Sequence, residues 1–176
     1  DFCLSRGLGD VYKRQIKNSF GHPVPFINGQ CQVSGKKAQG VVLKKELTGG
    51  TDIFQIDYTS AYATAVPELE KLIRTFTYNR AGEGTFVIED RFEAVSGISF
   101  ETAITTRADW KMIGNNRLEL VLGGEKMTVD IEAPGVVEFD SETVEVNSPA
   151  YTRIGIRLKK PLQSGSVRLI MYPSRP

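Results

Sequence analysis

The chain holds one histidine, His22, and it stands in the stretch richest in groups able to do chemistry. Residues 18–32 read NSFGHPVPFINGQCQ. His22 lies between Gly21 and Pro23, just before a short apolar run and an Asn28-Gly29 pair. An imidazole can ligate a metal ion or move a proton near neutral pH. A lone histidine near a strand start is more often a capped structural residue than a ligand. One histidine cannot complete a metal site, which takes roughly three or four protein ligands. Gln30 and Gln32 alternate with Cys31, so they share a face of an extended segment. There they offer their amides to a polar ligand or simply meet water.

Other candidates carry two readings each. Tyr62 either packs its ring and caps a loop through its hydroxyl, or offers that hydroxyl to a ligand. Arg74 and Arg80 suit a polyanion; the simpler role is a salt bridge to Asp90 or Glu89 across a hairpin. Asp57 is a strand-end carboxylate or a cleft residue. Trp110 stacks on a sugar ring or covers a sheet edge. Lys44-Lys45 reads as a solvated strand end. The sequence has no Gly-rich phosphate loop, no nucleophile elbow and no CxxC pair.

The elements that must position these residues are strands. Short runs rich in Val, Ile, Thr, Phe and Tyr recur between Gly, Asn, Asp and Pro. They cover residues 24–27, 39–47, 52–58, 72–78, 85–92, 99–107, 110–113, 117–122, 126–133, 136–139, 143–146, 151–158 and 166–172. Asn28-Gly29 tolerates the positive φ of a tight hairpin turn. Ala81 to Gly84, Asn115-Asn116 and Gly123-Gly124 sit at further hairpin corners. The one helical candidate is residues 62–71, where Pro67 suits a first turn with Glu68 and Glu70 near it. About a dozen strands at spacings of roughly 8–12 residues predict an all-β fold of stacked antiparallel sheets, a β-sandwich with minimal helix.

The first fifteen residues stand apart. Ser5 to Gln15 reads SRGLGDVYKRQ. That string resembles a transposase-type sequencing adapter translated in one frame, and Asp1 to Leu4 fit its flanking arm and index. An assembly scar is set aside before fold reasoning. Residues 1–15 are then non-native, and residues 16–176 are one β-sandwich domain, a C-terminal fragment whose true start lies upstream of Ile16. The chain carries 22 Lys+Arg and 21 Asp+Glu. Removing Arg6, Lys13, Arg14, Asp1 and Asp10 leaves 19 of each, a neutral domain. No basic excess points to nucleic acid or an anionic membrane. No run approaches the roughly 20 apolar residues of a membrane span. Cys3 falls in the scar, so Cys31 is expected to be a lone, half-buried thiol.

The stretch Asn18-Ser19-x-Gly21-His22-x-Val24-Pro25-x-x-Asn28-Gly29-x-x-Gln32 resembles the heparinase II/III family of polysaccharide lyases, in the later part of its β-sheet domain. The likeness continues more loosely through Asp57-x-x-x-Ala61-Tyr62, the run Arg74 to Arg80, and Val87-Ile88-Glu89-Asp90. It is weak after Asp90. The resemblance implies β-elimination on a uronic-acid polysaccharide. It implies a missing N-terminal α/α toroid that supplies the catalytic residues, so the fragment itself holds none and is inactive. It maps His22 onto a metal ligand, zinc by expectation, with a second His and an Asp lying upstream. It makes Gln30, Tyr62 and Arg74 candidate contacts for the acidic polysaccharide. One departure is Pro23, where many relatives have Asn; it fixes φ and removes a donor. The alternative is a non-catalytic module that binds carbohydrate or supports another domain. Neither membrane span nor nucleic acid belongs to either reading. Compartment is unreadable from the residues; for a full-length lyase the periplasm, cell envelope or exterior is expected.

Overall fold

The computed structural model describes residues 19–144 and 149–174. Two antiparallel sheets stack face to face. The strands are β1 (Phe26–Ile27), β2 (Val41–Leu47), β3 (Thr51–Asp57), β4 (Leu69–Asn79), β5 (Thr85–Ile98), β6 (Phe100–Thr106), β7 (Asp109–Gly114), β8 (Arg117–Leu122), β9 (Glu125–Glu132), β10 (Val137–Val144), β11 (Tyr151–Leu158) and β12 (Leu162–Pro173). The small sheet runs β1-β6-β11-β10 and the large one β2-β3-β4-β5-β12-β9-β8-β7. No helix among the described residues reaches seven residues. The all-β expectation holds. The reading of residues 1–15 lies outside the described residues.

Period-2 burial explains the layers. On β4, Leu72 and Arg74 are buried while Lys71 is exposed and Ile73 and Thr75 are half-buried. Register then places Phe92 opposite Leu72 and Asp90 opposite Arg74 on β5. Val167 and Leu169 on β12, and Val129 and Ile131 on β9, continue that inner face. The small sheet answers with Phe100, Ile104, Ile154 and Ile156, all buried. Phe92 and Phe100 stack across the gap with ring centroids 4.5 Å apart. Each such side chain contributes on the order of 1.5–3 kcal/mol by leaving water.

The turns follow the sequence closely. Asn28 (φ 49°) and Gly29 (φ 70°) both occupy the left-handed region, and Ile27 bridges Gln30 across them. Gly82 and Gly84 turn β4 into β5, and Gly123-Gly124 turns β8 into β9, all at positive φ. Three expectations change. Residues 62–71 form no helix: a 3₁₀ turn precedes them at Thr59–Ala61, and Leu69 already belongs to β4. Leu69 and Leu72 are needed in the core, and the Glu68 carbonyl accepts a bond from Val95 N, which commits the segment to the sheet. The run at 136–139 and the described part of the run at 143–146 join as β10, because Asp140 to Glu142 pair with Arg153 to Gly155 without interruption; residues 145 and 146 lie outside the described residues. Cys31 is half-buried, as expected, but it is disulfide-bonded and not a lone thiol.

Candidate functional site

The sole histidine rides on a strap, residues 21–25, that leaves a 3₁₀ turn (Ser19–Gly21) and enters β1. Two of its five residues are prolines, so it lacks two backbone donors and cannot form a full ladder. His22 N donates to Ser19 O at 3.1 Å, and Val24 N donates to His22 O at 2.8 Å. The second bond closes a tight three-residue turn around Pro23, whose locked φ suits such a turn. Gln32 N donates to Ser19 Oγ at 2.8 Å and ties the start of the strap to the far side of the Asn28-Gly29 hairpin.

Side chains from three other elements supply what the backbone cannot. Every second carbonyl of the strap accepts a side-chain donor. Tyr151 OH on β11 donates to Gly21 O at 2.6 Å. Arg74 Nη1 on β4 donates to Pro23 O. Tyr62 OH, just after the second 3₁₀ turn, donates to Pro25 O. Alternation along the strap therefore turns these carbonyls to the fold and leaves His22 exposed.

Arg74 is itself held rigidly. Its Nε and Nη2 bond Asp90 Oδ1 and Oδ2, each at 2.6 Å, a two-pronged pairing. Thr102 Oγ1 on β6 donates to Asp90 Oδ2 at 2.8 Å, so the network links both sheets. Arg74 is 3% exposed and Asp90 1%. Tyr62 is fully buried, and burial pushes its phenol far above the ordinary range. It is a fixed neutral donor, not a base. Burial also raises the Tyr151 phenol.

Beside the strap lies a pocket of about 290 Å³, lined by Gly21, His22, Pro23, Thr105, Thr106, Arg107 and Tyr151. Behind it sits a second buried pair. Arg153 pairs in register with Thr105, and its guanidinium lies 4.5 Å from the centre of the Phe20 ring. Its Nη2 stands 2.7 Å from Glu101 Oε1, yet Nε and Nη2 make no hydrogen bond of good geometry. At that distance the two groups form a buried charge pair. Burial pushes the Glu101 carboxyl up, and Arg153 pulls against that shift.

The sequence-derived candidates separate clearly. His22, Tyr62 and Arg74 meet at the strap; Gln30 sits in the hairpin turn, half-buried, with its backbone paired to Ile27. Tyr62 and Arg74 touch His22's own segment rather than solvent. Arg80 pairs with Asp52 and not with β5, because it lies beyond the Asn79–Thr85 end of the ladder. Asp57 Oδ1 accepts from Thr59 N at 2.8 Å, a strand-end role. Trp110 packs on the core from the edge strand β7. Tyr151, Thr105 and Arg107 were not singled out by sequence; only strand register brings them to His22.

Zinc does not fit these residues alone. Among the described residues no three His, Cys, Asp or Glu side chains converge. The pocket offers hydroxyls and a guanidinium beside one imidazole, and zinc prefers imidazole, thiolate and carboxylate.

No family model and no curated protein sequence matches the chain. Solved structures do match. A heparinase III gene product shares 11% identity at a TM-score of 0.73, over 97% of this chain and 26% of its own. Heparan sulfate lyase HepC from Pedobacter heparinus shares 13% at 0.74, over 99% of this chain and 28% of its own. A further heparinase III shares 17% at 0.68, over 97% and 26%. The chain thus has the fold of one part of these lyases and spans about a quarter of their length.

Proposed function

We propose that the chain is the β-sheet part of a lyase that cleaves uronic-acid polysaccharides by β-elimination, and that it is inactive by itself. The observation that carries this is a fold likeness over 97–99% of the chain that takes in only 26–28% of each lyase. The His22 motif supports it independently, because the strap is built to present that one side chain. Elimination needs a base for the proton α to the carboxyl group, an acid for the leaving oxygen and a cation for the carboxylate. Tyr62 and Arg74 are occupied inside the fold, so in this proposal they position the strap and the base comes from upstream of Ile16. Gln30, at the hairpin next to the strap, remains the proposed contact for sugar hydroxyls.

His22 would meet a zinc ion only beside ligands from the upstream lobe, with the segment 1–15 no part of the native protein. Reading the genomic sequence upstream of Ile16 tests this. Alternating helices followed by a His-x-His motif in the same frame are expected; a signal peptide directly before Ile16 would instead favour a non-catalytic carbohydrate-binding module. In the extended protein, metal analysis should find bound zinc that His22→Ala releases. Equal zinc in both proteins would remove His22 from the ligand set.

A further inference from the structure

The pocket beside His22 has a charge character of its own. No carboxylate lines it. Arg107 does, and among the described residues its exposed side chain enters no ion pair, hydrogen bond or ring contact. Most arginines here behave otherwise: Arg74, Arg80, Arg91, Arg117, Arg153, Arg157 and Arg168 all pair with an acid. An unpaired arginine in a concave, acid-free site leaves its whole donor fork for a ligand. Carboxylate and sulfate match that fork with two parallel bonds. Thr105 and Thr106 add hydroxyls, and His22 an imidazole.

A second observation lies under the floor. Arg153 is 2% exposed and leaves Nε and Nη2 without a hydrogen bond. It is the cross-strand partner of Thr105 and lies two residues along β11 from Tyr151, so it shares their face. Its charge is balanced by Glu101, 2.7 Å away, so what lies behind the pocket wall is a set of buried donors and not a net positive charge.

We propose that this pocket binds one anionic group, the carboxylate or sulfate of an acidic saccharide, with Arg107 as the charged contact and the threonines and His22 around it. About 290 Å³ sits at the small end of ligand pockets, roughly 300–1,000 Å³, so it accommodates a single sugar ring and not a chain. The saccharide identity rests on the lyase reading; the anion site does not.

The test is an NMR titration of the chain with sodium glucuronate, inorganic sulfate and glucose. Glucuronate and sulfate should shift the Thr105–Arg107 and His22 amides along saturating curves, and glucose should leave them still. Arg107→Gln should weaken both anions at least tenfold with an unchanged melting temperature, since the side chain is exposed. Shifts that do not saturate, or that survive Arg107→Gln, overturn the site. Saturation by sulfate without glucuronate overturns the saccharide ligand. Failure of the lyase assay below, with glucuronate still bound here, would sink the proposed reaction and leave this site standing.

Discussion

Hydrogen-bond geometry separates the two buried charge pairs, Arg74–Asp90 in the large sheet and Arg153–Glu101 in the small one. Asp90 is gripped at both oxygens by Arg74 and receives Thr102 as well. Glu101 has a charge partner of poor geometry, and desolvation holds its carboxyl above the ordinary value. A raised folded-state value means the folded protein binds the proton more tightly than the unfolded chain. Its stabilising contribution is therefore present in acid and is lost as pH rises from the ordinary carboxyl value through the raised one. Denaturation midpoints measured from pH 4 to 8 should show the difference between wild type and Glu101→Gln changing with pH in that direction. A constant difference would mean that Glu101 titrates normally. Side chains of this kind were only half legible in sequence. A bridge from Arg74 to Asp90 or Glu89 is readable, because hairpin register follows from alternation, and the fold selects Asp90. The Glu101–Arg153 pair escaped notice, because it joins strands some fifty residues apart whose order in the sheet no local pattern encodes.

The strap is the element that links packing to chemistry. Donors from β4, β11 and the loop before β4 hold the carbonyls of residues 21, 23 and 25, so its geometry depends on the sandwich beneath it. Asp90→Ala leaves Arg74 charged and unpaired in the core, at a cost of about 3–5 kcal/mol by urea denaturation. The paired replacement Arg74→Met with Asp90→Leu should recover most of that stability, as apolar substitutes for buried ion pairs often do. It cannot restore the donor to Pro23. In the double variant, then, the fold stays cooperative while the His22 amide resonance broadens or shifts. A sharp, unmoved His22 signal would show that the clamp is not what positions the strap. Strand existence and hairpin turns were readable from periodicity and from Asn-Gly and Gly-Gly pairs. The strap was not. Its Pro-x-Pro composition marks a break in pairing, and only the folded core shows which side chains replace the missing donors. The misplaced helix at 62–71 has a similar origin, since Pro67 and two glutamates signal a helix start that core demand for Leu69 and Leu72 overrides.

At the scale of the molecule, the large sheet outruns the small one. Eight strands face four, and edge strand β2 is exposed along its whole length, including Val41, Val42 and Leu47. Lys44 and Lys45 interrupt that edge, a usual guard against sheet-to-sheet pairing. The chain matches about a quarter of the length of each lyase structure it resembles. The proposed function has this chain support a β-elimination that it does not perform alone. Absorbance near 232 nm, where the unsaturated uronate product absorbs, tests it on heparan sulfate and other uronate polymers. The chain joined to its upstream sequence should generate that signal, the isolated chain should give none, and His22→Ala in the joined protein should slow it. Product formation by the isolated chain, or none by the joined one on any uronate polymer, would contradict the account.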